Sequence, residues 1–318
     1  MLTRTLVLLV ACLISLAIGS PICANGPAQP GPRQDNHRPT KQTQDKHKPT
    51  GRFVRLVRDD HGRPVAMQTA LVRFVPQDCG RTSPTVDLIA AVHVADRAYY
   101  VHLNRLFEKY DAVLYELVAP KGTRIPKGVR KSTHPVSIVQ RVMSNVLELQ
   151  FQLEEIDYTQ ENMVHADMSP EQFAKSMEAR GESVWTVIFR IMLYAMSRQG
   201  GESASNSDWR LLLALLDENR ALALKRLMAE QFEDLQGSLN VLEGAKGSTL
   251  IAERNKVALS VLREQIAAGK KNLAIFYGGA HMPDFQRRLE DDFGLVRLSE
   301  QWVTAWDLKA KSLASAPK

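Results

Sequence analysis

Two histidines, His93 and His281, each close a short apolar run of the chain. His93 lies in the run 87–94 (DLIAAVHV), and His281 follows the run 272–277 through a Gly-Gly-Ala turn. Such runs are typical of strands that are covered on both faces of a parallel sheet. In sheets of this kind, sites lie beyond the carboxyl ends of the strands. The two histidines therefore predict a shared functional site, and hydrogen bonds to loop carbonyls are the purely structural alternative.

Glu116 supplies a carboxylate at a third predicted strand, in the run 112–118. Imidazole nitrogen and carboxylate oxygen suit Zn, Mn, Co or Fe, and two histidines with one carboxylate leave positions for water and substrate. A metal held there would lower the pKa of bound water and polarise a carbonyl. The same residues also suit metal-free acid–base chemistry. Gly278 and Gly279 let the backbone approach closely beside His281.

Arg254 adds a cation to the candidate site. In the predicted amphipathic helix 249–267 it shares a face with Leu250, Val257 and Val261, since residues three and four apart align. An arginine on an apolar face is expected to pair with a carboxylate or another anionic group. Structural pairing, with Glu116 as the candidate partner, and contact with substrate or an oxyanion both remain open.

The middle of the chain offers further polar residues. His165 and Asp167 are two residues apart, so they would share a face in an extended segment and could line the site. Asp167 has a second interpretation, because it precedes Ser169 and Pro170, which predict the start of a helix. Cys79 is a candidate nucleophile, although it lies in a turn-like Asp-Cys-Gly sequence.

The elements that must position these residues form two similar units. The first runs from strand 87–94 through a helix at 96–110 to strand 112–118. The second runs from strand 272–277 through a helix at 283–293 to strand 295–298. Residues 53–57 and 65–75 predict a β-hairpin around an Asp-Asp-His-Gly turn. The sequence therefore predicts a mixed α/β fold: a central sheet of two related strand–helix–strand units, an N-terminal hairpin and an inserted helical region at about 135–240.

The chain ends differ in composition from this core. Residues 1–24 read as a signal peptide, with an uncleaved anchor or lipidation at Cys12 as alternatives. Residues 25–50 lack large apolar side chains and predict a disordered linker. The folded domain is expected at 51–308, followed by a frayed tail at 309–318. We therefore expect an exported protein, periplasmic or secreted, with a possible membrane tether.

Composition narrows the classes of function. Hydrophobic residues make up 44% of the chain and charged residues 24%, as in ordinary globular proteins. The net charge of +6 is concentrated in the N-terminal stretch, where a basic tail could contact an anionic surface. Beyond the linker the charges are mixed and no aromatic–basic platform is present, so nucleic-acid binding is not expected.

These motifs resemble those of the TraB/GumN/Tiki group, within the superfamily of erythromycin-esterase-like and ChaN-like proteins. That group has a GxxH motif after an early strand, a glutamate on the next strand, a late helical arginine and a second GxxH motif. The matching residues here are His93, Glu116, Arg254, and Gly278 with His281. The resemblance spans about residues 53–308.

The first motif departs from the family pattern, because Ala90 stands where the family has glycine. The resemblance implies a metal-dependent hydrolase, similar to a metalloprotease, that uses Mn, Co or Zn on peptide or amide bonds. His93, Glu116 and His281 would hold the metal, and Arg254 would stabilise developing negative charge. The alternative is a non-catalytic periplasmic protein that sequesters a peptide, a metal or, less in keeping with these residues, haem.

Overall fold

The computed structural model describes residues 52–77, 84–123, 149–181, 209, 213–214, 216–230 and 249–310. The predicted signal peptide and linker, Cys79, nearly all of the predicted tail and much of the predicted helical insertion lie outside the described residues. In the described parts of the chain, no helix has both the length and the apolar character that a membrane span requires.

The described chain begins with an antiparallel hairpin. Strand β1 (Val54–Arg58) pairs with the first part of β2 (Pro64–Pro76). In the turn, the Asp59 carboxylate accepts the backbone N–H group of His61 at 3.0 Å. This is the local hydrogen bond that favours aspartate at turns. The predicted hairpin is confirmed.

The first strand–helix–strand unit follows the hairpin. Its helix buries Tyr99, Tyr100, Leu103 and Phe107, whose spacing places them on one helical face. The unit matches the predicted elements to within a few residues. Its elements are β3 (Thr85–Ala91), β4 (Val94–Ala95), α1 (Arg97–Phe107) and β5 (Ala112–Tyr115).

The middle of the chain contains short strands as well as helices. At the start of the helix Pro170–Ala179, the Ser169 side chain accepts the backbone N–H group of Gln172, and the Gln172 side chain accepts that of Ser169. The predicted helix start is therefore confirmed as a capping box. Residues 220–230 are also helical. The elements before this segment are β6 (Gln150–Phe151), α2 (Gln152–Glu155), β7 (Met163–His165) and α3 (Pro170–Ala179).

The last third forms the second unit. The strand predicted at 295–298 extends to Asp307, because it pairs with β2 over nearly its whole length. Gly294, with a φ of 63°, ends the preceding helix in the left-handed conformation that favours glycine. The elements are a π-helical turn (Thr249–Glu253), α4 (Arg254–Ala267), β8 (Asn272–Gly278), a 3-10 turn (Gly279–His281), α5 (Met282–Phe293) and β9 (Leu295–Asp307).

Among the described residues, one seven-stranded sheet unites these elements, and β4 with β6 forms a separate small sheet. In the main sheet β3, β8, β5 and β7 are parallel neighbours in that order. β2 runs antiparallel to β3 on one side and to β9 on the other. β1 shares the β3 side of β2, pairing with its earlier residues. The predicted mixed α/β class is confirmed.

The two units cross the sheet in opposite directions. β8 lies between β3 and β5, whereas β3 and β2 lie between β8 and β9. Right-handed crossovers that run in opposite directions place their helices on opposite faces. The core agrees: Phe107 of α1 packs on the face that includes Phe276. Phe285 and Leu289 of α5 pack on the face that includes Ile275.

Candidate functional site

The carboxyl ends of β3 and β8 lie side by side and then diverge. The two strands pair in parallel up to Ala91, which is opposite Gly278. After β3 the chain leads to α1 on one face, and after β8 it leads to α5 on the other. A divergence of this kind leaves a crevice that is the usual ligand position in open α/β sheets. His93 and His281 follow these two strands closely, so the fold places both at the crevice.

Three predicted site residues approach a single point beside Gly278. A Cβ atom built on Gly278 would lie 3.3 Å from Glu116 Oε2, 3.7 Å from His93 Nε2 and 3.9 Å from His281 Cδ2. The φ of Gly278 is −52°, which any residue can adopt. Space rather than backbone conformation therefore favours glycine here. The structure brings the two histidines and Glu116 together, while their catalytic role remains a prediction.

Glu116 is fixed by a donor at each carboxylate oxygen. The backbone N–H group of Gly278 donates to Oε2 at 2.7 Å, and Arg254 Nη2 donates to Oε1 at 2.8 Å. Glu116 directly follows β5, and β5 pairs in parallel with β8. The sheet register therefore carries the carboxylate to the end of β8.

Arg254 joins Glu116 to Asp167. Its Nε and Nη2 atoms donate to the two oxygens of Asp167 at 2.9 and 2.5 Å, and Nη1 lies 3.4 Å from the Leu250 carbonyl oxygen. Arg254, Glu116 and Asp167 are each at most 6% exposed. Of the two alternatives for Arg254, these contacts favour pairing with carboxylates, because most of its donor groups are directed at protein partners.

The buried cluster contains two carboxylates and one guanidinium. Burial by itself would raise the pKa of Glu116, but the charge of Arg254 is the largest opposing effect, and that pKa lies well below its usual range. Burial would likewise lower the pKa of Arg254, but Glu116 and Asp167 raise it above its usual range. Buried charge that lacks a counter-charge is costly. The excess of carboxylates therefore favours an additional cation at this site.

His281 is held by Asn255, which the sequence did not single out. Nδ1 of His281 lies 2.6 Å from Asn255 Oδ1, and Nε2 lies 3.5 Å from Glu116 Oε1. The imidazole packs edge-on against Tyr277, with ring centroids 5.1 Å apart. Asn255 follows Arg254 in α4, and a polar residue at a helix start carries no periodic signal that distinguishes a buried position from an exposed one.

His93 lies beside Gln152, another residue that the sequence did not single out. The backbone N–H group of Gln152 donates to the His93 carbonyl oxygen at 2.9 Å. Burial lowers the pKa of His93 although Glu116 opposes that shift, so the ring is neutral near neutral pH. Gln152 Nε2 donates to the Tyr158 hydroxyl at 2.9 Å. Gln152 Oε1 is buried and has no hydrogen-bond partner in the described part of the chain.

Of the other residues proposed to line the site, Asp167 and Gly279 lie at the site and His165 makes its described contacts elsewhere. Asp167 enters the site through Arg254, and Gly279 begins the 3-10 turn that carries His281. His165 Nε2 donates to the Leu117 carbonyl oxygen at 2.6 Å. The described contacts of His165 therefore link β7 to the segment after β5 and do not join it to the two strand-end histidines.

Ala90, the departure from the family pattern, lies within β3 opposite Tyr277 and is fully buried. Extended backbone accepts an alanine side chain without strain. The glycine of the first motif is therefore not needed for the backbone conformation at this position.

The donor chemistry of His93, Glu116 and His281 fits a divalent metal. Each Glu116 oxygen retains acceptor capacity beyond the bond described above. His281 faces Glu116 with Nε2 while Nδ1 is bonded to Asn255, as is usual for a metal-ligating histidine. Within the described residues, however, no group of three or more His, Cys, Asp or Glu side chains is arranged to hold a metal ion. A metal would have to draw these side chains closer together.

Comparisons with protein-family models, with curated proteins and with solved structures found no match. The resemblance to the TraB/GumN/Tiki group therefore remains a prediction.

Proposed function

We propose that the protein is a hydrolase of peptide or amide bonds, centred on His93, Glu116 and His281. The observation that carries this proposal is the approach of these three side chains to one point beside Gly278. That point lies where β3 and β8 diverge, which is the usual ligand position in such sheets. The proposal agrees with the resemblance to TraB and Tiki proteins, whose motifs contain the same residue types.

The excess of buried carboxylates supports a divalent transition metal, Mn, Co or Zn, held by His93, Glu116 and His281. When bound, such a metal would lower the pKa of a bound water and polarise the carbonyl of the substrate. Arg254 holds Glu116 in place and keeps it ionised. Because His93 is neutral near neutral pH, it is able either to ligate the metal or to accept a proton from water.

Gln152 adds a polar amide beside His93, because its backbone N–H group donates to the His93 carbonyl oxygen. A side chain with both a donor and an acceptor suits the N–H and C=O groups of a peptide or secondary amide. The predicted signal peptide supports action outside the cytoplasm.

The test begins with the purified full chain and a peptide library, with Mn, Co or Zn added, and cleavage is followed by mass spectrometry. We expect cleavage by the wild-type protein and a loss of at least about 10²-fold in His93→Gln and in His281→Gln. His102→Gln, on the exposed side of α1, is the matched control and should retain full activity.

Metal content of the same preparations tests the metal part of the proposal separately. We expect about one transition-metal ion per chain in the wild-type protein and far less in His281→Gln. Cleavage without bound metal would leave a metal-free acid–base hydrolase. Binding of peptides without cleavage would contradict the hydrolase proposal and support the alternative, a non-catalytic protein that sequesters peptides.

A further inference from the structure

The Asn255 side chain has only one orientation that its neighbours allow. Nδ2 lies 3.1 Å from the His281 carbonyl oxygen and 3.0 Å from Asp284 Oδ2. A carbonyl and a carboxylate only accept hydrogen bonds, so the –NH₂ side of the amide must face them. Orientations of this kind are assigned from the surrounding network, and here two acceptors agree.

Asp284 is itself held in place as an acceptor. Arg288 Nε donates to Oδ2 at 2.6 Å, and Arg287 Nη2 donates to Oδ1 at 2.5 Å. Two guanidinium groups favour the ionised form of the Asp284 carboxylate, and an ionised carboxylate only accepts hydrogen bonds. The orientation of Asn255 therefore depends on a row of groups that runs along the first turns of α5.

The remaining amide atom, Asn255 Oδ1, then determines the state of His281. Oδ1 is an acceptor and lies 2.6 Å from His281 Nδ1, so Nδ1 must carry a hydrogen. We infer that Asn255 is a positioning residue that fixes a hydrogen on Nδ1 of His281, so that the neutral ring has its lone pair on Nε2, on the side of Glu116. Nε2 lies 3.5 Å from Glu116 Oε1, on the side where the strand ends meet.

This inference rests on the proposed function for its importance, because a ring that ligates a metal or accepts a proton must present a lone pair. With the opposite tautomer, Nε2 would present a hydrogen to the site, and the ring could do neither. The tautomer itself is a property of the chain without any metal or substrate, so it is testable even if no activity is found.

The direct test is nuclear magnetic resonance of the metal-free full chain with ¹⁵N-labelled histidine. Spectra are recorded at about pH 8, well above the ordinary histidine pKa, and the His281→Gln variant identifies the signals of His281. We expect the neutral His281 ring to carry its hydrogen on Nδ1. A neutral ring with its hydrogen on Nε2 and none on Nδ1 would overturn the inference.

Substitution of Asn255 tests whether this residue is the cause. Asn255→Leu keeps the size of the side chain and removes the acceptor, so His281 should populate both tautomers. Metal affinity and peptide cleavage should fall by roughly 10–100-fold, as when other outer partners of ligating histidines are lost. A His281 spectrum unchanged in Asn255→Leu would assign the tautomer to another group.

Asn104→Leu is the matched control, because Asn104, like Asn255, forms hydrogen bonds through both atoms of its side-chain amide. It donates to the Glu155 carbonyl oxygen at 2.8 Å and accepts the Asp157 N–H group at 2.9 Å, and it lies on α1 at the opposite face of the sheet. We expect a comparable loss of stability without a change in the His281 signals. If Asn255→Leu does not fold, the wild-type spectrum still decides which tautomer is present, and the smaller change Asn255→Ala tests the cause.

Failure of the two proposals is distinguishable. The Nδ1–H tautomer without cleavage or metal binding would leave the positioning role of Asn255 intact and refute the hydrolase. Cleavage by a protein whose neutral His281 ring carries its hydrogen on Nε2 and none on Nδ1 would do the reverse.

Discussion

At the scale of single residues, the site depends on the space that Gly278 leaves open. A Cβ atom on this residue would lie within 4 Å of Glu116 Oε2, His93 Nε2 and the His281 ring. Its backbone N–H group also donates to Glu116. One residue therefore both holds the carboxylate and keeps a side chain out of the centre. Ala90 lies within the extended strand β3, where the backbone conformation does not require glycine.

Gly278→Ala should damage function more than stability. The added methyl would lie 3.3 Å from Glu116 Oε2, so the carboxylate must move by a few tenths of an ångström. The backbone tolerates alanine, so the free energy of unfolding should change by no more than about 1 kcal/mol. Metal affinity and cleavage should fall at least about tenfold, because small displacements of reacting groups are costly.

Gly269→Ala is the converse control. Gly269 has a φ of +87° and nothing within 4 Å of an added Cβ. Alanine there should cost about 1–2 kcal/mol through backbone strain and leave cleavage unchanged. Equal loss of function in both variants, measured by urea unfolding and peptide cleavage, would show that Gly278 acts only through stability.

At the scale of elements, the start of α4 is the feature that the sequence least revealed. The apolar spacing in 249–267 predicts a helix, and a helix is present, but its first turn is π-helical (Thr249–Glu253). Such turns occur often at functional sites. Directly after it, Arg254 faces Glu116 and Asp167 while Asn255 faces His281.

The sequence predicts those features of the fold and the site that depend only on residues close together in the chain. The Asp59 turn, the Ser169 capping box and the histidines behind apolar strands were all recognisable, because each is set within a few residues. Arg254 and Asp167 are 87 residues apart, and Asn255 and His281 are 26 apart. No spacing rule connects such pairs. β7 escaped prediction because three residues are too few for a periodic pattern.

The first turn of α5 gives a prediction for acid stability. Burial alone would raise the pKa of Asp284, but hydrogen bonds and charge from Arg288, with further bonds from Arg287 and Asn255, lower it from the ordinary value of 3.8. A lowered pKa contributes stability that is present above the unfolded value and is lost as pH falls through the folded value. The wild-type protein should therefore exceed Asp284→Asn in stability near neutral pH, and the difference should shrink below about pH 4.

Urea unfolding of both proteins across this pH range measures the difference. Asp291→Asn is the control, because Asp291 is exposed and its distance to Arg287 is 3.7 Å. Exposed pairs contribute little, so this variant should follow the wild-type protein throughout. A difference between the wild-type protein and Asp284→Asn that stays constant down to acid pH would contradict the prediction.

At the scale of the whole molecule, the two strand–helix–strand units cannot be separated. β8 of the second unit lies between β3 and β5 of the first, and β3 lies between β8 and β9. Each unit therefore completes the hydrogen bonding of the other. The site is formed at the same interleaving, because His93 belongs to one unit and His281 to the other. Unfolding of either unit should consequently unfold the other and disassemble the site.

Because the two units are interleaved, a destabilising substitution at the site should also unfold β9 at the far edge of the sheet. Arg254→Met leaves Glu116 and Asp167 without their buried partner and should cost about 3–5 kcal/mol. Trp302 and Trp306 lie on β9, so a Trp185→Phe/Trp209→Phe background makes fluorescence report on that strand alone. In urea, the fluorescence and far-ultraviolet circular dichroism midpoints should fall together, as in a two-state transition.

Arg63→Met is the control. It removes an exposed ion pair with Asp59 and should change the free energy of unfolding by less than about 1 kcal/mol. A circular dichroism midpoint that falls while β9 fluorescence does not would mean that the two units unfold independently.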